Sequence, residues 1–148
     1  MGLGLSSDKN GMKLEYKIYE HDFIRAGEAS SNIKKMLTQL GIDSSIIRRV
    51  AIATYEAEIN VVIHSHGGNM KVLVSSDSVE ILVEDEGPGI DDIELAMKKG
   101  FSTATSKVRE MGFGAGMGLP NMKRVSDEFF IESEKGVSTV LKMIINIE

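Results

Sequence analysis

Cysteine is absent from the chain, and histidine is scarce, with three residues among 148. Without cysteine the protein has neither a disulfide framework nor a thiolate-bound metal, and three scattered histidines offer little to a zinc site. The lack of cysteine fits a reducing compartment. We therefore expect a cytoplasmic protein.

Long apolar runs are also missing, and basic residues are outnumbered. No run approaches the roughly 20 residues that a membrane-spanning helix needs, and the chain does not start with a charged region followed by an apolar core. We expect a protein that is neither inserted in a membrane nor secreted.

There are 17 Lys and Arg against 22 Asp and Glu, a formal charge of −5. Nucleic-acid binding is not expected, because no basic stripe could displace counterions from phosphates.

The length and the apolar content favour one folded domain. A chain of 148 residues with 42% hydrophobic residues can bury one substantial core. Residues 1–11 are predicted to be a flexible leader, and residues 12–148 the domain.

The apolar patterns predict strands and helices in a mixed order. Alternation with period two predicts strands at 13–19, 70–75, 79–85, 130–133 and 137–147. Helical spacing predicts helices at 23–40, 44–67 and 91–98, and a last helix opened by Pro120 with Leu119, Met122, Val125 and Phe129 on its apolar side. This order predicts an α+β fold, a two-layer α/β sandwich with helices packed on one face of a mixed, mostly antiparallel sheet.

Glu56 and Asn60 lie at positions i and i+4 of the second predicted helix and so share one face. A pair of this kind usually belongs to a solvated face, but Asn60 interrupts an otherwise apolar turn from Ile59 to Ile63. An amide oxygen suits Mg²⁺, which takes its other ligands from water and phosphates. Glu56, one turn earlier, could accept a proton from a hydroxyl or water that attacks a terminal phosphate.

Asp85 ends a predicted strand on the same face as Val79 and Val83, toward the core. A carboxylate in that position requires a ligand or a buried donor. Gly87 and Gly89 follow it, and they are compatible either with a turn that ends the strand or with a flat base lying against the bare backbone. In the second interpretation Asp85 accepts a hydrogen bond from an exocyclic amine such as that of adenine.

A second glycine block, Gly114-x-Gly116-x-Gly118, leads directly into the last predicted helix. It is either a flexible loop or a cradle in which backbone amides and a helix start meet phosphates. No Gly-Lys-Ser or Gly-Lys-Thr follows, so the block is not a Walker A motif. Lys107 and Arg109 add cations to the preceding segment, which we expect to be mobile and able to close over phosphates.

Taken in order, the three blocks resemble the N, G1 and G2 boxes of the Bergerat-fold ATPases, the group of DNA gyrase, heat-shock chaperones, mismatch-repair proteins and sensor histidine kinases. The small size and the lack of a phosphoacceptor domain resemble the bacterial anti-sigma factor serine kinases. The stretch 100–103, and the stretch 114–119 together with 127–129, look closest to the stressosome-type switch kinases, which phosphorylate STAS-domain partners.

The resemblance implies ATP and Mg²⁺ as cofactors and a role for each matching residue. Glu56 matches the catalytic base, Asn60 the magnesium ligand and Asp85 the acid that recognises adenine. The remaining residues assigned to the nucleotide site are Gly87, Gly89, Ile90, Thr103 as a lid hydroxyl, Gly114, Gly116, Met117, Gly118 and Leu119. The stretch 104–113 is longer than the corresponding lid, so Lys107 and Arg109 have no clear counterpart.

Two functions follow from the resemblance. The first is a serine/threonine protein kinase of the anti-sigma regulatory type, acting on a STAS-domain regulator, with a sigma factor and a second copy of the chain as possible partners. The alternative is a nucleotide-gated binding module that sequesters a sigma factor or another regulator without significant catalysis. Glu56 favours the kinase, because a pure binder needs no base.

Overall fold

The structure, a computed structural model, describes residues 3–6, 10–87, 118–134 and 138–147. Its elements are β1 (Met12–Ile18), α1 (Glu28–Gln39), α2 (Ser44–His64), β2 (Gly68–Val74), β3 (Ser78–Glu86), α3 (Gly118–Val125), β4 (Glu128–Glu134) and β5 (Ser138–Asn146). Within this part of the chain, no helix is both long enough and apolar enough to cross a membrane.

The strands form one five-stranded sheet in the order β1-β2-β3-β5-β4. All four neighbouring pairs are antiparallel, so no parallel pair of the kind a mixed sheet contains occurs among the described strands. The inward residues of β3, Val79, Ile81 and Val83, join helix residues such as Val50 and Met122 in one core. The predicted α/β sandwich is confirmed.

Helix α2 begins where the sequence predicted. The Asp43 side chain accepts a hydrogen bond from the Ser45 N–H and so caps the first turn. The helix then packs against both α1 and α3, and also contacts β1, β3 and β5. Because of this central position, side chains on different faces of α2 meet different elements.

The predicted start of α1 at residue 23 is wrong, since the helix begins at Glu28 and residues 23–27 form turns. Gly27 takes the N-cap position with φ 100° and has no side chain to accept from the first N–H groups. The Glu58 carboxylate on α2 accepts from the N–H of Ala29 and of Ser30 instead, at 3.2 and 3.1 Å. The helix therefore starts where a distant residue supplies its cap.

The assignment of Phe129 to the last helix is also wrong. Helix α3 ends at Val125, and Phe129 lies in β4 opposite Met143 of β5. The Asp127 N–H already donates to the Ile144 carbonyl at 2.9 Å. Pairing with β5 thus ends the helical pattern before its last apolar residue.

Ser6 contacts the face of the sheet that points away from the helices. The Ser6 N–H donates to Oε1 of Glu80 at 3.0 Å, and Nζ of Lys142 lies 3.6 Å from the same oxygen. Glu80 alternates with the core residues of β3 and therefore belongs to the outer face. Its side chain is only 1% exposed, so the outer face is partly covered.

Candidate functional site

Glu56 lies on the side of α2 that meets the start of α3. Its side chain is half-buried, and Oε2 accepts a hydrogen bond from Nδ2 of Asn121 at 2.6 Å. A Cβ atom built on Gly118, the first residue of α3, would lie 3.9 Å from Oε1 of Glu56. The structure therefore brings the candidate base to the helix that follows the second glycine block.

Asn60 follows Glu56 by about one turn of α2 and is half-buried. Its amide oxygen is the kind of hard donor that Mg²⁺ binds. Among the described residues no group of three or more His, Asp or Glu side chains could hold a metal ion. The assignment of Asn60 as a magnesium ligand stays a prediction.

Glu58, two residues after Glu56, has a different role. It is 3% exposed and caps α1 through the two backbone bonds described above. Residues two positions apart on a helix do not share a face, so the two glutamates contact different elements. This role of Glu58 was not predicted from the sequence, because a glycine at the helix start is its only local signal.

Asp85 lies near the end of β3 and is less buried than the core residues before it. Its Oδ1 accepts a hydrogen bond from the Thr139 backbone N–H at 3.0 Å. Burial raises the pKa of the Asp85 carboxyl from 3.8 to about 6, and the bond from Thr139 opposes part of this shift. Of the two predicted alternatives, a ligand or a buried donor, the neighbouring strand supplies a donor.

The end of α2 and the end of β3 are held together by a short glycine turn. The His66 N–H donates to the Glu86 carbonyl, and the Glu86 N–H donates to the Gly67 carbonyl, both at 3.0 Å. Gly68 pairs with Asp85, and a Cβ on Gly68 would lie 2.3 Å from the Glu84 carbonyl oxygen. Only glycine permits this approach, which places Asp85 close to the C-terminal end of the helix that carries Glu56.

Of the other predicted site residues, some lie in the described part of the chain and the rest lie outside it. Gly87 is buried with φ 30°, a conformation that favours glycine, and the Leu119 side chain lies in the core at 7% exposure. Any contact of Leu119 with a nucleotide would therefore come from its backbone. The residues that lie outside the described part of the chain are Gly89, Ile90, Thr103, Lys107, Arg109, Gly114, Gly116 and Met117, together with the predicted helix 91–98.

A cleft of about 420 Å³ lies elsewhere, between β1 and the start of α1. Its walls include Tyr16, Asn32 and Glu58 but neither Glu56 nor Asp85. It is therefore separate from the predicted nucleotide site.

Comparison with known proteins decides the family. Residues 21–145 match the model of the histidine kinase-like ATPase domain. The chain belongs to this family. The family predicted from the three boxes is thereby confirmed, and nucleotide binding is the property that its ATPase domain implies.

Two relatives are similar over most of their length. The chain is 32% identical over 129 residues to the serine/threonine-protein kinase RsbT of Bacillus subtilis, covering 84% of this chain and 89% of that protein. It is 35% identical over 102 residues to the anti-sigma F factor of Thermoanaerobacter sp. (strain X514), covering 66% of this chain and 68% of that protein.

Two solved structures share the fold. The SiaB–SiaC complex from Pseudomonas aeruginosa matches with a TM-score of 0.61 and 14% identity, over 89% of this chain and 88% of that one. The RsbU and RsbW domains of a Mycobacterium tuberculosis protein match with a TM-score of 0.58 and 18% identity, over 89% of this chain and 32% of that one.

Proposed function

We propose that the protein is an ATP-dependent serine kinase that phosphorylates a STAS-domain regulator. The observation that carries the proposal is the Glu56 carboxylate, held by Asn121 at the start of α3. A protein that only binds nucleotide has no need of an oriented carboxylate at this place. The kinase named among the relatives supports the same activity.

The proposed reaction is an in-line phosphoryl transfer. The seryl oxygen of the partner attacks the γ-phosphorus of ATP, the bond from that phosphorus to the bridging oxygen breaks, and ADP leaves. Glu56 orients the seryl hydroxyl and accepts its proton. Asn60 would hold Mg²⁺, which neutralises phosphate charge when bound.

The base of the nucleotide is assigned to the end of β3. The ionised Asp85 accepts a hydrogen bond from the exocyclic amine of adenine, and Gly87 leaves room for the ring beside the backbone. The backbone N–H groups of Gly118 and Leu119, at the start of α3, would donate to phosphate oxygens, as N–H groups do at other helix starts. Magnesium, adenine and phosphate contacts would then draw on α2, β3 and α3.

The anti-sigma F factors among the relatives favour a second candidate function. In this alternative, the nucleotide controls binding to a sigma factor or another regulator, and transfer of phosphate is insignificant. A sigma factor as an additional partner and a homodimer are also compatible with the kinase. The two functions differ in whether Glu56 is needed.

The test is Glu56→Gln in the full chain. Glutamine keeps the length of the side chain and an oxygen that accepts from Asn121, but it does not serve as the base. We expect ATP affinity, measured by calorimetry, to stay within a few fold. We expect transfer from γ-labelled ATP to purified STAS-domain proteins of the same organism to fall by about 10²–10⁴.

Asn60→Ala is the matched comparison on the same helix face. Loss of a magnesium ligand should weaken binding of Mg·ATP as well as transfer. A wild-type rate for Glu56→Gln would overturn its role as the base. Nucleotide-dependent binding of a partner without transfer in the unmodified protein would establish the binding module instead.

A further inference from the structure

The side chain of Asn121 joins the candidate base to the surface of α3. Its Nδ2 donates to Oε2 of Glu56 at 2.6 Å, and its Oδ1 accepts from Nη2 of Arg124 at 3.3 Å. A carboxylate only accepts hydrogen bonds and a guanidinium only donates them. The two partners therefore fix which end of the amide faces Glu56.

The residues of α3 on the side of Asn121 form a row along the helix. Gly118, Asn121 and Arg124 are spaced by three residues and so lie along one side of the helix. Gly118 lies beside Oε1 of Glu56, whereas Asn121 binds Oε2. One carboxylate oxygen is thus fixed, and the other faces the start of the helix.

A glutamate side chain has several rotatable bonds, so an unsupported carboxylate samples many directions. The bond from Asn121 removes this freedom at one oxygen. Arg124, which is exposed, in turn holds the amide of Asn121. The arrangement matches the support that a positioned base requires, since small displacements of a reacting group reduce the rate strongly.

We infer that Asn121 is a positioning residue for phosphoryl transfer: by donating to Oε2 of Glu56, it keeps Oε1 directed to the place where the hydroxyl proton is taken. Arg124 assists by fixing the amide. This inference rests on the proposed function, because it assigns Asn121 a role that acts only through Glu56.

Three substitutions at Asn121 separate positioning from a simple link between α2 and α3. Asn121→Leu removes both hydrogen bonds at similar size. Asn121→Asp keeps an acceptor for Arg124 but replaces the donor to Glu56 with an oxygen. Asn121→Gln keeps a donor on a slightly longer side chain.

The assay is hydrolysis of γ-labelled ATP by the full chain, in which water replaces the seryl hydroxyl, together with transfer to the STAS-domain protein. We expect kcat to fall roughly ten- to hundred-fold for the Leu and Asp variants, with KM for ATP within about two-fold of wild type. The Gln variant should lose less activity than the Leu and Asp variants, because it keeps a donor for Glu56. Melting temperatures of all three variants establish that each is folded.

A double-mutant cycle supplies the decisive comparison. If Asn121 acts through Glu56, Asn121→Leu should cause no further loss in the Glu56→Gln background. Equal losses in both backgrounds, or a harmless Asn121→Asp, would overturn the inference. Where the Glu56→Gln rate is too low to measure, the contrast between the Asp and Gln variants decides.

Failure of the inference can be distinguished from failure of the proposed function. A wild-type rate for Glu56→Gln means that Glu56 is not the base, and the proposed function loses its main support. An impaired Glu56→Gln beside fully active Asn121→Leu and Asn121→Asp variants means that only the role of Asn121 is wrong.

Discussion

Asp85 accepts a hydrogen bond from the neighbouring strand, and burial makes the ionised form of its carboxyl unfavourable. One oxygen accepts from the Thr139 N–H, while burial raises the pKa to about 6. The native state therefore holds a proton more tightly than the unfolded chain, whose Asp has the ordinary value of 3.8. Stability falls as pH rises from about 4 to about 6 and stays lower above that range.

From this we predict that Asp85→Asn stabilises the nucleotide-free protein at pH 8, because an amide can still accept from Thr139 without burying a charge. The gain should disappear near pH 4, where the wild-type carboxyl is protonated. The same variant should bind ATP more weakly, because it loses a charge-assisted hydrogen bond worth about 1.5–3 kcal/mol. Thermal unfolding across pH and calorimetric titration with ATP measure the two effects.

A gain in stability together with a loss of ATP affinity in Asp85→Asn would show that Asp85 contributes to binding rather than to folding. If Asp85→Asn is less stable at pH 8 and binds ATP as the wild type does, the carboxylate serves only Thr139. The wild type and Asp85→Asn are compared at the same pH, so that the titration of the ATP phosphates affects both measurements equally.

At the scale of the elements, α2 determines where its neighbours begin. Its Glu58 supplies the acceptors that α1 lacks at Gly27, and its Glu56 meets α3 on another side. N–H groups at a helix start need such partners when they are removed from water. The position of α1 therefore depends on a carboxylate nearly 30 residues further along the chain.

We predict that Glu58→Ala lowers the free energy of unfolding by about 2–4 kcal/mol, since the N–H groups of Ala29 and Ser30 lose their acceptors in a buried place. Glu58→Gln should cost about 1–2 kcal/mol, because its oxygen replaces only part of the lost contact. Urea unfolding measures both values. Glu56→Gln is the matched control on the same helix and should change stability by less than about 1 kcal/mol; a similar loss there would argue against the cap.

The elements that local pattern controls were predicted well. Residues 79–85 alternate, and β3 spans Ser78–Glu86; Asp43 caps α2 as its residue type indicates. The errors at the start of α1 and at Phe129 arise where a bond from a distant residue decides the boundary. A single sequence carries no direct signal for such bonds.

The same distinction applies to the site. Glu56 and Asn60 could be paired from helical spacing alone. Asn121 could not be assigned to Glu56, because the two are 65 residues apart and meet only when α3 packs on α2. The spacing of three residues from Gly118 was the only available signal, and it indicates a shared helix face rather than a partner.

At the scale of the whole molecule, the proposed nucleotide site joins elements from separate parts of the chain. Asn60 belongs to α2, Asp85 to β3 and Gly118 to the start of α3. Helix α2 packs against α3 and contacts β3. A ligand that binds all three elements should therefore stabilise the native state of the entire domain rather than one local segment.

We predict that ATP with Mg²⁺ raises the melting temperature of the full chain. A ligand at 100 times its Kd adds about 2.7 kcal/mol, and for a chain of this size that corresponds to a rise of roughly 5–10 °C. Inosine triphosphate is the matched control, because a keto oxygen replaces the exocyclic amine and cannot donate to Asp85. Its effect should be much smaller, and the gap between the two nucleotides should narrow in Asp85→Asn.

Removal of Mg²⁺ with a chelator should reduce the effect of ATP in the wild type more than in Asn60→Ala. A folded protein whose melting temperature does not respond to millimolar ATP and Mg²⁺ would contradict the assignment of these three elements to a nucleotide site.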